Sequence, residues 1–177
     1  MMEKMIFDFD PSKCTACLAC VMACMDQNDI DAAHHQHPFR NAAELESEDG
    51  GSQKFSFLSV ACMHCEDAPC VMGCPSSCLY KDPESGLTLY DNTNCIGCKS
   101  CAMACPFGAP RYRKGDGKMV KCDGCNTRVK NGLKPACVRA CSFGALDCVS
   151  EEEYRASGSD KACNQMIAHL GLRKKSV

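Results

Sequence analysis

Apolar residues occur along this chain in short, isolated runs, never in the long periodic stretches of a helical bundle. "KMIFDFD" (4–10) alternates and predicts a strand leading into the first run of cysteines. "LYKDPESGLTLYD" (79–91) sets apolar residues on either side of a Pro/Gly turn and predicts a hairpin. "APRYRKGDGKMVKC" (109–122) does the same around Gly115, Asp116 and Gly117. "GALDCVS" (144–150) reads as a further strand, so each end of the chain offers one. Between 26 and 61 the pattern breaks. "DAAHHQH" and "AELESEDGGS" are rich in charge and small side chains, and 36–54 is expected to be a loop insertion. Near the end, Ala162, Met166, Ile167 and Leu170 recur at helical spacing, with Gly171 beyond them. They predict a docking helix within a tail over 151–177. No apolar run reaches the ~20 residues a membrane helix needs, so no membrane span is expected. "MMEKMIFDFDPSKC" is too short and too acidic for a signal peptide.

Composition changes the picture, because the apolar runs are too few. The 45% hydrophobic content of the 177 residues includes 19 cysteines, and there is no Trp, with 7 Phe and 4 Tyr. Without the cysteines the apolar share is about a third, below the ~45–50% of an ordinary soluble domain. Cross-links must supplement the core. Disulfides fit poorly, since the cysteine count is odd and the chain is long for a stapled secreted domain. Zinc and iron–sulfur clusters remain. Twenty Lys+Arg against 22 Asp+Glu leave a net charge of −2, so no strong charge bias points to nucleic acid. No phosphate-binding loop, nucleotide fingerprint or Ser-His-Asp set is present, so a non-catalytic protein is expected.

Sixteen of the cysteines form four groups of four. They are Cys14, Cys17, Cys20, Cys24; Cys62, Cys65, Cys70, Cys74; Cys95, Cys98, Cys101, Cys105; and Cys122, Cys125, Cys137, Cys141. Every group ends in C-x3-C, so the groups read as internal repeats with loops of different length before that element. A [4Fe–4S] cluster takes four thiolates, and three sulfurs two residues apart let a tight loop wrap it. Zinc normally draws two separated C-x2-C pairs, which makes C-x2-C-x2-C awkward for it. Group four, read alone, also fits zinc. Gly97 and Gly124 suit the left-handed backbone of such loops. Cys101 and Cys105 lie one helical turn apart, so a helix starting near Cys101 carries Cys105 toward a second cluster. Two-cluster ferredoxins share this arrangement of C-x2-C-x2-C-x3-C-P. Pro75 and Pro106 end the helix and fix the exit of the chain.

"CTACLACVMAC", "CMHCEDAPC", "CIGCKSCAMACPFGAPRY" and "KCDGCNTRVKNGLKPACVRAC" together resemble the four-cluster ferredoxin-like electron-transfer subunits of dimethyl sulfoxide reductase-family molybdopterin oxidoreductases. The resemblance covers about 5–150. It implies an α+β fold of two pseudo-symmetric bacterial-ferredoxin-like lobes: an outer lobe of 1–35 plus 115–150, and an inner lobe of 55–114. It also implies four [4Fe–4S] clusters with exchanged ligands. Cluster 1 would use Cys14, Cys17, Cys20 and Cys141. Cluster 2 would use Cys62, Cys65, Cys70 and Cys105. Cluster 3 would use Cys95, Cys98, Cys101 and Cys74, and cluster 4 Cys122, Cys125, Cys137 and Cys24. The implied partners are a large molybdenum- or tungsten-pterin catalytic subunit and a membrane anchor or ferredoxin-type donor. A formate dehydrogenase or hydrogenase complex is the nearest variant, and a structural zinc-binding interaction protein the distant one. The implied location is cytoplasmic, or exported folded on a partner's signal. The chain departs from the pattern in "CPSSC" after the second group, Ser142 after the fourth, and a short C-terminal end.

Cys78, Cys148 and Cys163 remain over and read as reduced, buried filler. Met22, Met63, Met72 and Met103 read as apolar packing around clusters. His34, His35 and His37 read as solvated surface, as does the basic run Arg111, Arg113, Lys114, Lys118 and Lys121.

Overall fold

The computed structural model describes residues 4–34, 36–49 and 51–157. The terminal helix expected at 160–171, Cys163 and His35 lie outside the described residues. Among the described residues, eight strands form four separate two-stranded antiparallel sheets. β1 (Met5–Phe9) pairs with β8 (Leu146–Ser150) and closes the two ends of the chain on each other. β4 (Leu79–Lys81) with β5 (Thr88–Tyr90), and β6 (Arg111–Tyr112) with β7 (Met119–Val120), are the two expected hairpins.

The 36–54 segment is not an irregular loop. β2 (Asn41–Asp49) and β3 (Ser52–Val60) form the longest hairpin of the structure, in register from Asn41 opposite Val60. Glutamates at 44 and 46 and serines at 56 and 59 hide the period that marks a half-buried strand. Most of β2 is exposed, so its ladder is satisfied by its partner strand more than by a core. The β6–β7 hairpin also spans the lobe boundary expected at 114/115, since Met119 packs with Cys70, Leu79 and Cys101.

The helices are short. α1 (Ala19–Gln27) and α5 (Ala136–Arg139) pack on each other, as do α2 (Pro69–Met72) and α3 (Ser100–Ala104). α4 (Asn126–Lys130) lies in the long gap of group four, and α6 (Glu151–Ser157) follows β8. Each C-x3-C therefore sits on about one turn. At its first x, Val138 is buried and Val21 and Val71 pack against buried clusters. At its second x, Met22, Met72 and Met103 are 61%, 76% and 79% exposed. These three methionines face outward because the helical turn allots only one side to the core, and Met63, in the loop before α2, is half-exposed.

Two buried apolar groups result. One joins Cys20, Cys137, Val138, Leu146 and Cys148, with Met5, Phe7 and Phe9 of β1 against it. The other joins Ala68, Cys70, Leu79, Cys101 and Met119. Among the described residues no helix is long and apolar enough to cross a membrane.

Candidate functional site

The first C-x-x-C step of every group shares one backbone device. The residue before the second cysteine is left-handed in each: Ala16 (φ 50), His64 (φ 46), Gly97 (φ 67) and Gly124 (φ 72). A left-handed residue folds the loop back so that both thiols face inward. Sequence reading found the two glycines and missed Ala16 and His64, which carry side chains at the same step. An added Cβ on Gly97 would lie 2.9 Å from the carbonyl oxygen of Gly117. Gly97→Ala is expected to destabilise by about 1–2 kcal/mol from the backbone alone, with the clash adding to it. Heating the metal-loaded protein should bleach it at a lower temperature than wild type, whereas Gly115→Ala, with open space around its Cβ, should not.

The helical ends then separate the last cysteine of each group from the other three. Cys105 caps α3 in an extended conformation (ψ 115), as a residue before proline must. Cys14, Cys17, Cys20 and Cys141 line one void, with Phe9, Leu18, Phe143 and Leu146 among its walls. Cys24, Cys122, Cys125 and Cys137 line a second. A third is lined by Cys74, Cys95, Cys98 and Cys101, together with Cys78, Tyr112 and Met119. Cys62 and Cys105 lie close enough to Cys70 for their charges to act on it, and Cys65 packs into the same buried group as Cys70. Among the described residues no three His, Cys, Asp or Glu side chains converge as ligands of a single ion. The thiols line voids instead.

Backbone donors point at these sulfurs. The N–H groups of Cys78, Ala109 and Ala145 donate to Cys74, Cys105 and Cys141 at 3.2, 3.4 and 3.2 Å, each from four residues on. In group one α1 continues past Cys24, so the backbone N–H of Asn28 is committed to Met25. There the Asn28 side-chain amide reaches Cys24 Sγ instead, at 3.7 Å. Met119 N–H donates to Cys95 Sγ (3.3 Å), Gly124 N–H to Cys122 Sγ (3.4 Å), and the Tyr112 hydroxyl lies 3.0 Å from Cys101 Sγ. Such donors stabilise thiolate and sulfide charge. Burial pushes the Cys24 thiol up to about 11 and also raises Cys122, Cys20 and Cys70. Metal must therefore displace protons from these thiols.

A cationic node, buried at Lys121 and Arg40 and half-buried at Lys81, lies beside two of the thiol sets. Lys121, expected on a solvated hairpin, is 1% exposed. It donates to the carbonyls of Thr88 and Cys122. Lys81 donates to the carbonyls of His64 (3.1 Å) and Cys65 (2.8 Å) and to Thr88 Oγ1. Thr88 N–H donates to His64 Nδ1 (3.0 Å), whose Nε2 lies 3.8 Å from Cys122 Sγ and whose ring stacks on Phe7 at 5.5 Å. Burial, then Lys121, Lys81 and Arg40, hold His64 well below its usual range and therefore neutral. Arg40, 5% exposed, bonds Ser59 Oγ, which lies 3.5 Å from Cys20 Sγ. None of Lys81, Lys121 and Arg40 pairs with a carboxylate among the described residues. A buried cation without a counterion is costly, and the fit is to an anionic metal–thiolate group nearby. His34 and His37 are exposed, as expected. Cys148 is buried in the first core group, where burial pushes its thiol up to about 12.

A family model for the 4Fe-4S dicluster domain matches residues 53–152, and one for the 4Fe-4S binding domain matches 7–24. The chain belongs to the 4Fe-4S dicluster family. Membership decides between iron–sulfur and zinc chemistry for the chain as a whole. The chain is 42% identical to the B subunit of the anaerobic dimethyl sulfoxide reductase of Escherichia coli, over 97% of this chain and 85% of that protein. It is 36% identical to the iron-sulfur subunit of the nitrate-inducible formate dehydrogenase of E. coli, over 93% of this chain and 58% of that protein. It is also 36% identical to a thiosulfate reductase electron transfer subunit of Salmonella typhi, over 95% and 91%. Dicluster membership and these relatives agree with the subunit type to which the four cysteine groups point.

Proposed function

We propose that this dicluster protein carries single electrons between a redox partner and a catalytic subunit bearing molybdenum or tungsten pterin. It is an iron–sulfur electron-transfer subunit and not itself the catalytic one, as its relatives are. The observation that carries the reading is the arrangement of thiols, in which three cysteines of one group line a void with the last cysteine of another.

In this reading four [4Fe–4S] clusters are held in two ferredoxin-like lobes. Cys14, Cys17, Cys20 and Cys141 hold one, Cys122, Cys125, Cys137 and Cys24 its lobe partner. Cys62, Cys65, Cys70 and Cys105 hold the third, Cys95, Cys98, Cys101 and Cys74 the fourth. Bound clusters supply one-electron carriers whose potentials depend on charge, hydrogen bonding and exposure. The residues do the rest. The thiolates fix each site, the N–H donors and Tyr112 steady thiolate charge, and Phe9, Leu18 and Leu146 keep water from the first site. The packing of α1 on α5 and of α2 on α3 supports the division into two lobes.

Lys121 sits beside both Cys122 and the set containing Cys70. Its fixed positive charge favours the reduced form of the flanking clusters. Lys121→Met should make those two potentials more negative, by about tenfold in the one-electron equilibrium or ~59 mV, and Lys121→Arg should largely preserve them. Redox titration followed by electron paramagnetic resonance reads both, and unchanged potentials in Lys121→Met would remove this role.

The test of the function is anaerobic purification of the native complex. Iron together with molybdenum or tungsten should co-purify, and the dithionite-reduced chain should be reoxidised through the large subunit when its substrate is added. A chain that purifies alone and exchanges no electrons with such a subunit would refute the reading.

A further inference from the structure

Four of the five cysteines lining the third void have a counterpart in every group, and the fifth does not. Cys78 is 3% exposed and lines that void with Cys74, Cys95, Cys98 and Cys101. Its backbone N–H donates to Cys74 Sγ at 3.2 Å, and Cys74 and Cys95 lie close enough for charge on their thiols to act on its own. Otherwise Sγ meets only the Ser76 carbonyl, at a long 3.6 Å. The turn after α2 explains the placement. Cys74 N–H bonds the Val71 carbonyl and Ser77 N–H the Cys74 carbonyl, with Ser77 left-handed (φ 49), so the chain doubles back and sets residue 78 beside residue 74. The corresponding places after Cys105 and Cys141 are Ala109 and Ala145, which give the same N–H bond but no thiol. Only in the second group does another sulfur stand at the corner held by the borrowed cysteine.

We propose that Cys78 is an interchangeable ligand to Cys74, able to hold that corner of the cluster bound by Cys95, Cys98 and Cys101. This rests on the four-cluster reading above. The exchange moves no electrons. The iron–sulfur bond to Cys74 is broken as the bond to Cys78 forms, Cys78 releases its thiol proton, and Cys74 takes one up. Thiolate is the ligating form, and the N–H of residue 78 that steadies Cys74 Sγ belongs to the same turn, so a small rotation of this turn exchanges one sulfur for the other. A fifth thiol at this site gives the cluster a reserve when one ligand is oxidised or lost.

Iron content and electron paramagnetic resonance of the anaerobically purified full chain test the proposal in three variants. Cys74→Ala should retain the wild-type iron content and show no [3Fe–4S] signal after mild oxidation. Cys78→Ala should also retain wild-type iron. The double variant should lose the cluster at this site or convert it to [3Fe–4S]. Loss or conversion in Cys74→Ala alone, to the extent seen in the double variant, overturns the proposal. Retention of an intact cluster in the double variant overturns it too, since another group would then be the ligand. If Cys74→Ala assembles no clusters while Cys78→Ala assembles all of them, Cys74 is indispensable and the proposal fails. A wild-type chain without four clusters would instead sink the reading on which the proposal rests.

Discussion

Complete removal of iron and sulfide from this chain is expected to unfold it. Half of the buried residues in the two core groups are cysteines: Cys20, Cys137 and Cys148 in one, Cys70 and Cys101 in the other. Outside α1 no helix of a cysteine group exceeds five residues, and isolated helices shorter than about 12 residues are marginal in water. β6 and β7 are two residues each. No such element stands alone. Each thiol set joins segments far apart in sequence, so the metal supplies long-range closure that apolar burial does not. Structural zinc in zinc-finger peptides is worth on the order of 10 kcal/mol, a scale comparable with the whole ~5–15 kcal/mol stability of an ordinary domain. Without metal, the buried Cys24, raised to about 11, is a neutral thiol that ties no distant segment to its helix. Far-ultraviolet circular dichroism should therefore collapse as cluster absorbance is lost on chelation. Native-like dichroism after complete removal would mean that the fold stands without its metal.

Cys105→Ser is expected to damage the cluster of the second cysteine group and to spare that of its own. The reason is the turn at the end of α3. Pro106 forces Cys105 into extended backbone beyond the helix, while Cys101 stays buried on it. The thiol of Cys105 then acts on Cys70, and the void of its own group is lined by Cys74 in its place. Losing one thiolate of four should release that single cluster, about a quarter of the iron, or convert it to [3Fe–4S] with the loss of about one iron in sixteen. The electron paramagnetic resonance changes should match those of Cys65→Ser and not those of Cys98→Ser. Agreement with Cys98→Ser would mean that each group holds its own cluster.

Much of this was legible in the sequence for a physical reason. Ligand spacing is local and covalent, so the four groups, the C-x3-C turns and Pro106 as a helix stop can be read without tertiary information. The hairpins at 79–91 and 109–122 were equally legible, because their turns carry Pro, Gly and Asp at the bend. What failed depended on partners. β2 has glutamates on one face and little apolar alternation on the other, so only its pairing with β3 reveals it. Lys121 resembles Lys114 and Lys118 in sequence, yet Lys114 is exposed while Lys121 is enclosed by carbonyls of Thr88 and Cys122. His64 gave no sign of its left-handed backbone, since the contacts that hold it come from Phe7 and Thr88, 57 residues before and 24 after it. The methionines between cysteines read as apolar packing around clusters, and composition does not say which side of a single turn faces out.

In the proposed reading, sixteen cysteines hold four [4Fe–4S] clusters with ligands exchanged between groups, and this sets the metal content expected of the chain. Iron and acid-labile sulfide determination on the anaerobically purified protein reads that content. The expected result is a brown protein with about sixteen irons, matching sulfide, and bleaching by dithionite. A colourless protein loaded with zinc, or one saturated at about eight irons, would contradict it.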